Sequence, residues 1–314
     1  MQLIRGAYNL TSAHHGCVAT IGNFDGLHRG HQQVLSGLKQ QSQKLGLPSC
    51  LISFEPLPRE YFAPDNAPAR LLTLAEKIER LQQLSLDRLL LLPFNQSLCQ
   101  QSAEAFIQQT LVTGLGVRYL VVGDDFQFGC DRKGNFELLQ NAGRQFDFEV
   151  QATETFQLHG QRVSSTQIRQ QLAAGKLEQA AQQLGHPFQI SGRVAHGFAR
   201  GRTIGFPTAN ISLKRQQPPL KGVFVVSATL PDGQVQPAIA NIGNRPTVGG
   251  TKPLLEVHLF DFGADLYGQR LTIRFLHKLR DEQKFDSFDL LKKQIEHDAN
   301  DARAFFQQSA AIQL

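Results

Sequence analysis

One stretch limits the fold of this chain more than any other: Thr20-Ile21-Gly22-Asn23-Phe24-Asp25-Gly26-Leu27-His28-Arg29-Gly30-His31. Ahead of it, Cys17–Ile21 is short and mostly apolar, as a buried parallel strand is. Behind it, Gln32 to Leu45 predicts a helix whose apolar face is Val34, Leu35, Leu38 and Leu45. The stretch between is therefore a strand-to-helix turn that closes on a helix N-terminus. Gly22, Gly26 and Gly30 permit close backbone approach. Free N–H groups and the positive end of the helix dipole, about +0.5 charge, suit a polyphosphate. His28 and His31 are three apart and are expected on one face of the first helical turn. Two imidazoles there donate hydrogen bonds to phosphate oxygens and stabilise charge developing in phosphoryl or nucleotidyl transfer. No nucleophile accompanies them, so direct displacement at phosphorus is the economical chemistry. Alone, H-x-G-H also describes two surface histidines in a glycine-rich turn; the strand before and the helix after favour the anion site.

The 314 residues are enough for two ordinary domains. Strands are predicted at Cys17–Phe24, Ser49–Phe54, Leu89–Phe94, Tyr119–Phe126 and Phe148–Phe156. Helices are predicted at Leu74–Leu84, Ser102–Val112 and Asn135–Gly143 between them. That alternation predicts a Rossmann-like α/β domain with a parallel sheet covered on both faces, and ligands beyond the strand C-termini. A helix from Lys176 to Leu184 stops at Gly185 and Pro187, which places the boundary between domains 1–185 and 186–314. Beyond it, Gly192–His196, Gly222–Leu230, Val235–Ile242, Leu254–Phe262 and Arg270–Leu279 follow one another without helices. Five or six such strands predict a small antiparallel β-barrel. Ser287 to Phe306 predicts a C-terminal helix packing through Leu290, Leu291, Ile295 and Phe305 or Phe306.

Composition excludes several classes. The formal charge of +5 is spread along the chain, which suits anionic nucleotides and argues against a nucleic-acid face. The four cysteines lack C-x-x-C spacing, so neither zinc nor a disulfide frame is indicated. No apolar run approaches 18 residues and the N-terminus has no secretory h-region, so no membrane role and a cytoplasmic location are expected.

Five further segments carry chemistry-bearing residues. Phe54 and Phe62 flank a proline-stiffened loop after the second strand and suit either an aromatic ligand or the core. Asp125, in Gly123-Asp124-Asp125-Phe126-Gln127-Phe128-Gly129, suits a nucleotide or a solvated turn. Arg162-Val163-Ser164-Ser165-Thr166-Gln167-Ile168-Arg169 is a second helix entry, capped by Ser164 or Ser165. In the second half, Gly197, Gly201 and Gly205, with Arg200 and Arg202, make a basic loop fit for phosphate, though not a Walker A loop. Thr208 and Asn210, if extended, point to one side and offer two oxygens to a hard cation such as magnesium. Leu255, Val257 and Leu259 alternate with Glu256, His258 and Phe260. If the aliphatic set fills the barrel, Glu256 faces outward, as a general base or as an ordinary solvated carboxylate.

The segment from Gly22 to His31 resembles the nucleotidyltransferase signature of the bacterial bifunctional riboflavin kinase/FAD synthetases. The segments Gly123–Gly129, Val163–Arg169, Gly192–Asn210 and Glu256–Phe262 resemble family motifs in the same order, and Arg280 matches a family arginine on the flavin side. Where relatives often carry a histidine between Pro56 and Pro58, this chain has Leu57. The resemblance implies phosphorylation of riboflavin to FMN in the barrel, then adenylylation of FMN to FAD in the first domain, with ATP used twice. It implies ATP contacts in the first domain from Gly22, Asn23, Phe24, Asp25, Gly26, His28, His31 and Asp125, with Ser165, Thr166 and Arg169 holding the phosphates opposite the histidines. It implies a kinase ATP site at Gly197, Gly201, Arg202, Gly205, Thr208 and Asn210, magnesium on Thr208 and Asn210, Glu256 as base, and flavin contacts from Phe54, Phe62, Phe128 and Arg280.

Overall fold

The computed structural model describes residues 1–123, 125–195, 206–247 and 250–312. Its contacts divide the chain into two units: Met1–Pro68 with Lys77–Val163, and Ala69–Glu76 with Ser164–Leu314. In the first unit the strands are β1 (Gln2–Arg5), β2 (Cys17–Ile21), β3 (Ser49–Glu55), β4 (Arg88–Pro93), β5 (Val117–Gly123) and β6 (Glu149–Thr153), with a small hairpin of β7 (Gln157–Leu158) and β8 (Gln161–Arg162). The first six form one parallel sheet in the order β1-β4-β3-β2-β5-β6. Cys-Val-Ala-Thr-Ile of β2 is buried throughout because it sits mid-sheet with both faces covered. The strands β3, β4 and β5 bury Leu51, Leu89, Leu90 and Leu120 completely, each worth about 1.5–3 kcal/mol.

The helices of this unit are α1 (Arg29–Leu45), α2 (Pro58–Phe62), α3 (Leu74–Gln83, begun in the second unit's segment), α4 (Gln96–Gln100), α5 (Ala103–Phe106) and α6 (Phe136–Phe146). The predicted Ser102–Val112 helix starts as α5, capped by Ser102, and runs on as a π-helix over Ile107–Gly114. Three expected strands of this unit stop three residues short. The first ends at Ile21, the fourth at Gly123 and the fifth at Thr153. Phe24, Phe126 and Phe156 have left the ladder for the loops beyond it. Leu45, expected on the buried face of α1, is exposed, since the helix is ending there against the left-handed cap Gly46.

In the second unit α7 (Ser165–Ala173) and α8 (Leu177–Leu184) precede six strands: β9 (Gln189–Ala195), β10 (Ala209–Ser212), β11 (Gly222–Thr229), β12 (Val235–Thr247), β13 (Gly250–Leu259) and β14 (Arg270–Arg280). They close into a barrel in the order β10-β13-β12-β11-β14-β9, all pairs antiparallel. Leu255, Val257 and Leu259 are buried as the alternation required. Phe224 and Phe275 meet edge to face at 5.4 Å, both essentially inaccessible.

The strand β11 is buried on both faces because its outer Val223 and Val225 pack under Ala299 and Ala302 of α9 (Phe288–Ile312). Phe206, Leu279, Phe305 and Phe306 complete that cluster. Leu290, expected to pack, is half exposed; the buried stripe of α9 begins later, at Asp298 and Ala299.

Candidate functional site

The turn between β2 and α1 lies at the C-terminal end of the central strand of the first unit. Gly26 adopts φ +86°, and two non-glycine residues, Phe24 and Leu27, also lie in the left-handed region at +45° and +43°. Such positions cost about 1–3 kcal/mol each. Both side chains are buried, and that burial offsets the cost. Asp25 and His28 are buried with them, while Asn23 is exposed.

His28 precedes the first helical turn rather than sitting in it. It is the N-cap of α1, and its Nδ1 accepts the His31 N–H at 3.3 Å. That geometry stacks the two imidazoles at 3.6 Å between centroids and 15° between planes. Phe24 stacks on His31 at 4.6 Å. The His31 Nδ1 is fully covered and has no hydrogen-bond partner. Burial, then His28 and Lys77, push the His31 imidazole well below the usual histidine range, so it is neutral at neutral pH. The pair offers N–H dipoles and little resident charge at His31.

Around this turn Phe54 meets Phe94 edge to face at 5.7 Å and packs on the core of the unit. Phe62, also against Phe94, is 68% exposed. Phe128 stacks on Phe126 at 5.5 Å and lies against the core. Asp125 is exposed and paired with Arg162 at 3.4 Å. Asp124 lies outside the described residues.

On the second unit Ser164 caps α7, accepting from the Gln167 N–H at 3.2 Å. Ser165 and Thr166 therefore occupy the first turn, and Arg169 donates from Nε to the Ala69 carbonyl at 2.6 Å.

Gly197, Arg200, Gly201, Arg202 and Gly205 lie outside the described residues. The strand after them begins at Ala209, just past Thr208. Asn210 is buried and stands in register with Glu256 of β13, which in turn stands in register with Asn241 of β12. Directly opposed residues share a face, so Asn210, Glu256 and Asn241 form a polar row across three adjacent strands on the outer side of the barrel. The Asn241 Oδ1 is buried and has no partner. His258, two residues beyond Glu256, pairs its Nδ1 with the Pro207 carbonyl at 2.8 Å. Arg280 is gripped by the Asp298 carboxylate through Nε and NH2 at 2.7–3.0 Å, and its NH1 donates to the Asp281 carbonyl. Its visible part is to anchor α9 to β14.

Residues 10–167 match the FAD synthetase model and residues 184–306 the riboflavin kinase model. A bifunctional riboflavin kinase/FMN adenylyltransferase of Pseudomonas fluorescens is 53% identical, covering 99% of both chains. The chain belongs to the bifunctional riboflavin kinase/FMN adenylyltransferase family. The Haemophilus influenzae member is 51% identical over 98% of this chain and 99% of its own. The protein is accordingly a transferase with two activities, converting riboflavin to FMN and FMN to FAD at the expense of ATP.

A solved Streptococcus pneumoniae structure titled a macrolide-efflux protein shares the fold, with TM-score 0.82 and 32% identity over 96% of this chain and 99% of that one. Among the described residues no helix is long and apolar enough to cross a membrane.

Two polar residues close to these sites gave no motif in the sequence. Lys77 is buried on α3 and donates to the Asn23 carbonyl of the turn. A lysine on an amphipathic helix reads as solvated, and only the folded contact reveals it. Asn241 falls on the predicted strand Val235–Ile242, yet its place beside Glu256 depends on strand register, which sequence spacing does not fix.

Proposed function

We propose that the two steps occur at two separate sites, adenylyl transfer at the β2–α1 turn and riboflavin phosphorylation at the barrel's polar row. The supporting observation is the stacked His28–His31 pair at the head of α1, set apart from the Asn210–Glu256–Asn241 row within a separate fold. At the turn, an FMN phosphate oxygen attacks the α-phosphorus of ATP and pyrophosphate leaves. The N–H groups of the turn, with His28 and His31, hold the charge that gathers on the non-bridging oxygens. Gly22, Asn23, Phe24, Asp25 and Gly26 line this cradle. Asp125 serves the nucleotide; Phe54, Phe62 and Phe128 serve the flavin ring. Ser165, Thr166 and Arg169 at the head of α7 supply a second phosphate-binding element.

At the barrel, the riboflavin 5′-hydroxyl attacks the γ-phosphorus and ADP leaves. Glu256 takes the hydroxyl proton, a role worth about 10²–10⁴ in rate. Thr208 and Asn210 offer side-chain oxygens beside the Glu256 carboxylate, donors that suit a hard cation such as magnesium. Thr208 and Asn210 would hold it, and when bound it neutralises phosphate charge. Gly197, Gly201, Arg202 and Gly205 complete the ATP loop. Arg280 helps the flavin side by fixing α9. The reaction needs neither a nucleic acid nor a membrane, and belongs in the cytoplasm, where ATP is.

The test is separation of the activities. His28→Ala with His31→Ala should abolish FAD formation from FMN and leave FMN formation intact. Glu256→Gln should do the reverse. Loss of both activities in either folded variant overturns the division.

A further inference from the structure

We infer that Lys77 is a positioning residue for adenylyl transfer, its ammonium fixing the orientation of the Asn23–Phe24 peptide in the phosphate-binding turn. Lys77 is 2% exposed. Its Nζ donates to the Asn23 carbonyl at 2.7 Å and to the Ser53 Oγ, at the end of β3, at 3.3 Å. Burying an ammonium is expensive unless it is hydrogen-bonded, and the Asn23 carbonyl and Ser53 hydroxyl accept from this one. Here it draws one carbonyl inward. A trans peptide is planar, so its C=O and N–H point in opposite directions. With the Asn23 oxygen held by Lys77, the Phe24 N–H faces away from the ammonium. If that peptide turned over, a carbonyl oxygen would take the N–H's place, and the turn would lose a donor for an anion and gain a repulsive dipole. The left-handed Phe24, φ +45°, is the conformation in which this peptide is held. A run of N–H groups presented in this way is how backbone binds phosphate.

The ammonium also acts through space. Buried charge is poorly screened, and Lys77 is one of two charged or titratable neighbours, with His28, that disfavour the protonated form of His31. The same ammonium thus orients the turn's peptide and adds to burial and to His28 in disfavouring a proton on the adjoining imidazole.

This rests on adenylyl transfer occurring at the turn, and the experiment separates the two claims. Lys77→Met is assayed for FAD formation from FMN with ATP varied, and for FMN formation from riboflavin on the same preparation. The expected result is at least a ten-fold rise in KM for ATP in FAD formation, with FMN formation within two-fold of the parent. The acid limb of the FAD-forming pH profile should move to higher pH as His31 regains basicity. A parent-like ATP KM and pH profile in folded Lys77→Met overturns the role.

Should Lys77→Met lose both activities by unfolding, Ser53→Ala frees the ammonium from its second acceptor without a charge change. About a three-fold rise in the same KM is expected there, and an unchanged KM overturns the role. If the His28→Ala/His31→Ala chain still makes FAD, the placement of the reaction fails. If that chain is inactive while Lys77→Met is parent-like, only the role of Lys77 fails.

Discussion

Replacing Arg215 by Met should loosen the barrel unit by about 3 kcal/mol. The Arg215 side chain is fully buried and Glu76 nearly so, with NH2 and Oε2 2.5 Å apart. Arg215 also donates to the carbonyls of Arg70 and Leu71 at 3.1 Å each. Glu76 answers with four further bonds. Its Oε2 accepts from Thr73 N and Oγ1, its Oε1 accepts from Ser191 N at the start of the barrel, and its own N–H reaches Thr73 Oγ1. The result fastens Ala69–Glu76 to the barrel strands of its own unit. Breaking a buried pair by removing one partner costs about 3–5 kcal/mol. The bonds that Glu76 keeps from Thr73 and Ser191 still stabilise its carboxylate, which favours the lower figure. For a unit of this size each kcal/mol moves the midpoint by about 2–4 °C, so a fall of about 6–12 °C is expected. A two-unit chain need not melt in one step. The midpoint is therefore read as the temperature at which FMN-forming activity is half lost. Glu76→Gln alone should cost about 1.5–3 kcal/mol. The double variant should fall short of the sum of the two singles by at least about 1 kcal/mol. A shift under about 2 °C for Arg215→Met, or strict additivity in the double variant, refutes the pairing argument.

Two other outcomes follow from the site geometry. The folded His31 sits below its unfolded value of about 6.5, so the unfolded chain takes up the proton first as pH falls. Stability from this group is complete above about pH 6.5 and is lost on going lower, by up to about 1.4 kcal/mol for the first unit of pH; His31→Gln should flatten that slope in calorimetry at pH 7 and 5.5. Asn241→Val removes a buried oxygen without a partner, so the barrel's midpoint should hold or rise while FMN formation drops at least ten-fold. A falling midpoint with unchanged FMN formation would show that Asn241 serves only the fold.

What was legible in the sequence was periodic or local. The apolar runs of β2 and β11 and the alternation through Leu255–Leu259 announced a sheet and a barrel because burial on two faces or one writes itself into residue order. The glycine-rich turn announced its helix N-terminus for the same local reason. Strand ends were overrun at Phe24, Phe126 and Phe156 because an aromatic residue after a strand looks like more strand, whether it stays in the ladder or packs beneath a loop. The short β10 was foreseen only as an extended Thr208–Asn210, since four residues carry too little periodicity to stand out. The Arg215–Glu76 pair joins positions 139 residues apart, and nothing nearby in the chain signals either partner. The partner of Arg280, the Asp298 carboxylate eighteen positions on, is likewise beyond the reach of any motif.

A closed barrel has no last strand. Among the described residues every strand of the second unit has a neighbour on both sides along part of its length, so the closed part of the ladder offers no row of N–H and C=O groups to another chain. The parallel sheet does end, at β1 and β6. Those borders are four and five residues long and carry exposed Arg5 and Glu149. Within that sheet, backbone-to-backbone association between copies would start at these two short, charged borders, and mutations that lengthen or neutralise them are ones to avoid when the enzyme is prepared for use.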